Sequence, residues 1–325
     1  MKAILCKEFG PPEKLVLDEV PSPQPKAGEL LLAVHACGLN FADTLIIQGL
    51  YQEKPPLPFS PGAEVAGEVL AVGKGVRGFV PGRRVVALAS TGGFAEEVVV
   101  PAAVAMPLPD SMDYTTAASF TIAYGTSHVA LEHRAKLQAG ETLLVHGAAG
   151  GVGLTAVELG KLLGATVIAT ASTAEKLALA QQYGADHLIN YTEEDFRARV
   201  KETTSGKGAD VIFVPVGVDV FDQSMRCIAW NGRLLVIGFA SGRIPKLPVN
   251  LTLVKNCSVV GVYWGRYAQK EPAVLLGSLQ KLFSWHAQGR LKPPISHTFP
   301  LAQAGEALNT LIKRKAKGKV VLQVR

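Results

Sequence analysis

The chain has 325 residues, 48% of them hydrophobic and 18% charged, a balance that fills cores and excludes a disordered polymer. That length exceeds what one core usually serves and predicts two domains. The net charge of +6 suits an anionic ligand, and the cysteines at 6, 37, 227 and 257 lack any C-x-x-C spacing, which argues against a disulfide framework or a thiolate metal site and fits a reducing compartment. No apolar run reaches membrane-spanning length, and Met1-Lys2-Ala3-Ile4-Leu5-Cys6 enters a strand-like pattern with no signal-peptide core, so a cytoplasmic protein without membrane partners is expected.

Residues 1 to about 120 read as short strands broken by Gly and Pro, among them 30–36, 66–72 and 84–88, with turns at Lys26-Ala27-Gly28-Glu29 and Val80-Pro81-Gly82-Arg83. Such spacing predicts a barrel-like first domain. From there the rhythm changes to strand, helix, strand. Strands are predicted near 142–146, 166–170, 187–190, 210–214, 233–237 and 258–263, and helices near 151–164, 173–183, 193–204 and 219–229. This alternation predicts an α/β, doubly wound parallel sheet with helices on both faces. Helices near 271–288 and 301–314 and a strand at 319–324 complete the chain, and this tail is expected to return to the first domain. The boundaries so drawn are 1–122, 123–265 and 266–325. The cluster Lys313-Arg314-Lys315 with Lys317 and Lys319 reads as the C-terminal turn of a helix; without a basic stripe interleaved with aromatics, nucleic acid is not an expected partner.

The chemistry concentrates in His146-Gly147-Ala148-Ala149-Gly150-Gly151-Val152-Gly153, an Ala-x-Gly-x-x-Gly turn between a strand and a helix. Gly150 would let the backbone approach a pyrophosphate, Gly153 would let the helix pack on its strand, and the free N–H groups of the first turn would face the anion. The next strand ends in Ala171-Ser172-Thr173-Ala174-Glu175-Lys176, with no carboxylate at its tip to bind a ribose 2′-hydroxyl. Ser172 can donate a hydrogen bond to a 2′-phosphate and Lys176 can supply charge, which favours NADP(H) over NAD(H). Ser172 and Glu175 also read as a capping box, a role compatible with the first. Tyr191, after the third strand, reads either as a cover for the adenine–phosphate corner or as a half-buried strand-end aromatic.

Taken with Ile189-Asn190-Tyr191, Gly38-Leu39-Asn40-Phe41-Ala42-Asp43 and Gly49-Leu50-Tyr51, the glycine loop resembles that of the zeta-crystallin-type quinone oxidoreductases, the zinc-free branch of the medium-chain dehydrogenase/reductase superfamily. The resemblance covers essentially the whole chain, and segment 51–59 is similar to the quinone-oxidoreductase-like subgroup. It implies a GroES-like β-barrel catalytic domain, completed by the return segment, and a Rossmann domain with a six-stranded parallel sheet. Zinc-dependent relatives carry a Cys where this chain has Asn40 and a Gly-His-Glu motif where it has Gly62-Ala63-Glu64, and their structural-zinc cysteines are replaced here by Ala89-Ser90-Thr91-Gly92-Gly93-Phe94. No metal is therefore expected, since catalytic zinc needs three protein ligands.

The resemblance further implies that Asn40 and Asp43 lie at the nicotinamide end, with Asn40 touching the cofactor, and that Thr126 is near the nicotinamide ribose. Gly150, Gly151 and Val152 would hold the pyrophosphate, and Ser172, Lys176 and Tyr191 the 2′-phosphate. Gly238-Phe239-Ala240 and Val262-Tyr263-Trp264 would border the cofactor at the carboxyl edge of the sheet, with Lys319 approaching it from the tail. The alternative reading of Phe239, Tyr263 and Trp264 is core or dimer-interface packing, which for Trp264 stands level with a place at the cofactor. Relatives often carry a Tyr and an Arg where this chain has Leu45 and Ile47, so a more apolar acceptor pocket is expected, with Tyr51 as the nearest hydroxyl for a proton donor. Asn40, Asp43 and Tyr51 are thus the candidate catalytic residues. The implied activity is hydride transfer from NADPH to quinones or related conjugated carbonyls, which are electrophilic enough to need no Lewis acid. A 2-alkenal or enoyl-thioester reductase, and a weakly catalytic structural or RNA-associated dinucleotide binder, are the alternatives. The apolar strand 258–263 is expected at the sheet edge, where it needs covering, and the resemblance implies a homodimer paired there.

Overall fold

Two units emerge in the computed structural model, which describes residues 1–325 apart from the side chain of Asp219: Met1–Ile122 with Pro293–Arg325, and Ala123–Lys292. The strands in chain order are β1 (Lys2–Leu5), β2 (Val16–Glu19), β3 (Glu29–Leu39), β4 (Glu64–Val72), β5 (Arg84–Leu88), β6 (Glu97–Pro101), β7 (Ala105–Pro107), β8 (Thr142–Val145), β9 (Thr166–Ala171), β10 (His187–Asn190), β11 (Ala209–Val214), β12 (Ile228–Val236), β13 (Ser258–Gly261), β14 (Ile295–Pro300) and β15 (Lys319–Gln323).

The first unit is organised on β3. This long strand pairs antiparallel with β4, β6 and β15 in a sheet ordered β14-β15-β3-β4-β5-β7. Leu30, Leu32 and Val34 bury one face of it in a core with Val65, Val69, Val85, Phe94 and Val98. Gly38 has no room for a side chain, since a Cβ there would meet the Ala118 carbonyl at 1.9 Å; the helix Tyr114–Ala118 lies directly on the strand. The β15–β3 register sets Val320 opposite Leu39 and so brings Lys319 to residue 40.

The second unit is a parallel sheet ordered β10-β9-β8-β11-β12-β13, the doubly wound arrangement in which the chain reverses direction of growth between β8 and β11. β8 and β11 are buried along almost their whole length, which is why they read as continuous apolar runs. The predicted strands and helices all form, with ends shifted by at most three residues except in β12, which starts at Ile228, five residues before the predicted 233. The helix predicted at 193–204, for instance, starts at Phe196, because Asp195 caps it through the N–H groups of Arg197 and Ala198. β13 is one edge, pairing only with β12, and β10 is the other.

The return to the first unit starts at Pro293, later than the expected residue 266. The helix Pro272–Ala287 stays with the second unit because its polar residues bond there: Ser278 Oγ lies 2.8 Å from His128 Nδ1, and Lys281 Nζ 2.7 Å from Glu132.

Candidate cofactor and acceptor site

The glycine turn begins below the surface. His146, fully buried, lies 2.9 Å from both Thr170 Oγ1 and Ser224 Oγ. The Ser224 hydroxyl donates to the Val220 carbonyl, so it accepts from Nε2–H, and Nδ1 accepts from Thr170. The imidazole is thus a neutral tie between β9 and the helix Val218–Cys227, and burial holds its pKa down at about 3. Gly147 turns with φ of +59°, Gly150 caps the helix Gly151–Leu162, and no acidic residue occupies the first turn to neutralise its N–H groups.

The two glycines of the turn differ in what the protein demands. A Cβ on Gly153 would stand 2.2 Å from the Gly147 carbonyl oxygen, so this glycine is required by the fold. A Cβ on Gly150 would meet only that same oxygen, at 3.4 Å, and its φ of −79° is open to any residue. The bare backbone at Gly150 is a cradle that the fold does not require. Gly151 and Val152 follow in the first helical turn.

Beside it, β9 and β10 pair in parallel with Asn190 opposite Ala171, and the Tyr191 N–H donates to the Ala171 carbonyl at 3.2 Å. This brings Ser172 and the exposed ring of Tyr191 to one corner, with Lys176 on the first turn of the helix Ala174–Gln182. The expected Ser172–Glu175 capping box does not form. The helix starts one residue later, and Thr173 Oγ1 accepts the Lys176 N–H at 3.3 Å, so Ser172 lies just outside the cap. Along the same carboxyl edge, the Ala240 N–H donates to the Pro215 carbonyl at 3.1 Å beyond Gly238 and Phe239, and the Val262 N–H to the Val236 carbonyl at 3.0 Å. Val262 is buried, whereas Tyr263 is exposed. Trp264 is buried against Gly125, where a Cβ would lie 2.6 Å from its ring; that packing accounts for both residues. Thr126, the next residue, is buried in the helix Thr121–His128.

In the first unit, Asn40, Asp43 and Lys319 come together around a residue whose importance the sequence only hinted at. Glu64, with no exposed surface, accepts the Thr121 hydroxyl at 2.8 Å and the Ile122 N–H at 2.7 Å on Oε1, and Lys319 Nζ at 2.9 Å and Asn40 Nδ2 at 3.2 Å on Oε2. The one available signal was that Glu64 survives from a motif whose histidine is lost. Asp43 accepts the Asn40 N–H at 2.7 Å. Burial pushes its pKa up to about 6, against the pull of the Asn40 and Gly62 N–H groups and the Lys319 ammonium. Tyr51 is half-buried in the bend after the helix Phe41–Ile46, away from full solvent. Leu45 is half-buried too, but Ile47 lies wholly within the core, so its apolar character is set by packing rather than by an acceptor. Among the described residues, no group of three or more His, Cys, Asp or Glu side chains is placed to hold a metal ion.

Two family models match, an alcohol dehydrogenase GroES-like domain over residues 26–110 and a zinc-binding dehydrogenase over residues 151–279. A quinone oxidoreductase-like protein 2 homolog of Nematostella vectensis is 45% identical over all of this chain and 89% of its own length. The Homo sapiens quinone oxidoreductase is 34% identical over 99% of this chain and 97% of its own. Among solved structures, that of the Escherichia coli quinone oxidoreductase complexed with NADPH superposes with a TM-score of 0.94 at 32% identity, covering the whole of both chains.

Proposed function

The chain belongs to the quinone oxidoreductase branch of the medium-chain dehydrogenase/reductase superfamily, and on that premise we propose that it is an NADPH-dependent, zinc-independent reductase passing hydride to quinones or related conjugated carbonyls. It is an oxidoreductase by family. The observation that carries the cofactor assignment is the backbone cradle at Gly150, bare without steric need, beside a corner that offers a hydroxyl and an ammonium where an NAD site would offer a carboxylate. In this reading Gly150, Gly151 and Val152 receive the pyrophosphate, and Ser172, Lys176 and Tyr191 the 2′-phosphate. Thr126, Gly238, Phe239, Ala240, Val262 and Tyr263 border the nicotinamide half. Asn40 contacts the cofactor, and Asp43 and Tyr51 serve proton delivery to the acceptor.

The residues at the metal position do not fit zinc. Ala63 has no side-chain donor atom, Asn40 Oδ1 and Glu64 Oε2 already accept the Lys319 ammonium, and a dication would have to sit against that cation. Without a Lewis acid, hydride must go to an acceptor that is already electrophilic, and the protein's part is to orient it and exclude water.

Steady-state NADPH oxidation in the presence of a chelator tests this. Turnover with 1,4-naphthoquinone, unaffected by the chelator and faster than with trans-2-alkenals, is expected. Turnover with the alkenals alone would make the protein an enoyl-type reductase, and about one zinc per chain with loss of activity on chelation would restore the metal. Tight NADPH binding with no turnover on any conjugated acceptor would leave a dinucleotide-binding protein. For assembly, the open edge of β13 and the exposed Trp230, Val249, Leu253 and Val254 nearby favour a second copy of the chain as the cover. Sedimentation of the wild type as a dimer and of Leu253→Glu as a monomer is the expected outcome.

A further inference from the structure

Lys319 is 3% exposed, and an ammonium that far from water is tolerated only when its protons are all matched. It has three protons and three acceptors: the Leu39 carbonyl at 3.0 Å, Asn40 Oδ1 at 2.8 Å and Glu64 Oε2 at 2.9 Å. The group is saturated from within its own unit. Its effect falls on Asn40. An ammonium only donates and a carboxylate only accepts, so Oδ1 must face Lys319 while Nδ2 faces Glu64 at 3.2 Å. The Asn40 N–H is in turn fixed by Asp43 at 2.7 Å. The side chain therefore has one orientation, with one amide proton directed to Glu64 and the other near the Gly38 carbonyl at 3.5 Å.

We infer that Lys319 is a positioning residue: its ammonium is the built-in cation that orients Asn40 and Glu64, and it does not bind the cofactor phosphates. This rests on the reductase reading for its catalytic consequence, though not for its geometry. Two charges of one sign, Glu64 and Asp43, face the ammonium, and Thr121 and the Ile122 N–H complete the shell of Glu64. Losing the ammonium leaves the Asn40 amide free to rotate and Glu64 buried without its cation.

The test uses the full-length enzyme with NADPH and 1,4-naphthoquinone. Lys319→Ala is expected to lower kcat by roughly 10- to 100-fold, the scale of a small misplacement of a reacting group, while the NADPH Kd changes by less than about threefold. Ethylammonium chloride should restore part of the turnover, and sodium chloride at equal ionic strength should not. A Kd that weakens as much as kcat falls, with a steep salt dependence, would make Lys319 a phosphate ligand and overturn the inference. Should Lys319→Ala fail to fold, Lys319→Met combined with Glu64→Gln removes both charges at near-constant volume; wild-type kcat in that pair would equally overturn it. The side-chain amide signal of ¹⁵N-labelled Asn40, identified by its loss in Asn40→Asp, reads the same orientation without turnover. It should move to a free-asparagine position in Lys319→Ala and return with ethylammonium, and an unmoved signal sinks the proposal. Wild-type enzyme that turns over no conjugated acceptor sinks the reductase reading instead and leaves this signal to decide on Lys319.

Discussion

At the scale of single residues, the glycine turn separates demands that a motif alone runs together. Gly153→Ala forces a Cβ to 2.2 Å from a backbone oxygen and is expected to cost on the order of 1–3 kcal/mol, in the range of overpacking, visible as a lowered Tm without cofactor. Gly150→Ala has room in the free protein, so its Tm should stay near wild type while the new methyl stands where the pyrophosphate would lie. A Kd for NADPH raised tenfold or more is expected there, roughly 1.4 kcal/mol. An unchanged Kd in Gly150→Ala would remove the pyrophosphate from this turn. Tyr51→Phe belongs to the same scale: turnover should fall with NADPH affinity intact, and unchanged turnover would take the hydroxyl out of proton delivery. The glycine turn was legible because its constraints are local. The Lys319–Asn40 contact was not, since 279 positions separate the partners and only the β15–β3 register brings them together.

Elements were legible by periodicity and blurred at their ends. Ser172 and Thr173 are both good caps, and Ser172-x-x-Glu175 fits the capping pattern, so composition favoured the wrong neighbour; β9 and its bend push the helix start to Ala174. The shift assigns separable roles at this corner. Thr173→Ala loses the cap and should cost about 1 kcal/mol of stability, read by thermal denaturation. Ser172→Ala lies outside the cap and should leave stability within about 0.5 kcal/mol. Paired with Lys176→Ala, it should narrow the preference for NADPH over NADH by weakening NADPH alone, as expected of groups proposed to engage only the 2′-phosphate. Equal loss for both cofactors would put the 2′-phosphate elsewhere. The short helices Phe41–Ile46 and Val249–Lys255 escaped the sequence reading because neither is long enough to show a 3.6-residue stripe.

For the whole molecule, the order of strands and helices was legible, whereas the place where the chain returns was not: an apolar helix such as Pro272–Ala287 announces burial without naming its partner. The structure marks both ends of the second unit with one carboxyl group. Glu158, on the helix that leaves the glycine turn, accepts the hydroxyl of Tyr124, the second residue of the unit, at 2.6 Å and the N–H of Lys292, its last residue, at 2.9 Å. Burial raises the Glu158 pKa to about 6, against the pull of both donors and the Lys292 charge. A carboxyl whose folded pKa is raised binds its proton more tightly folded than unfolded, so its contribution is full below about 4.5 and is lost as pH rises through about 6. Asp43 works in the same direction. His146, with its pKa lowered, works in the opposite one: its contribution is present above about 6.5 and drains away as the medium acidifies. Between pH 4.5 and 6.5 these slopes oppose, and only comparison with a variant isolates one of them. Glu158→Gln keeps the shape and cannot titrate. The stability of wild type relative to Glu158→Gln should therefore decline by about 1–2 kcal/mol from pH 4.5 to pH 7, measured by urea denaturation at both pH values. A difference that stays constant would put the folded pKa at the unfolded value, and one that grows with pH would put it lower, so that Glu158 is ionised in the folded protein at pH 7. The two ends of the unit would then be tied to the helix Gly151–Leu162 by a charge rather than by a protonated carboxyl.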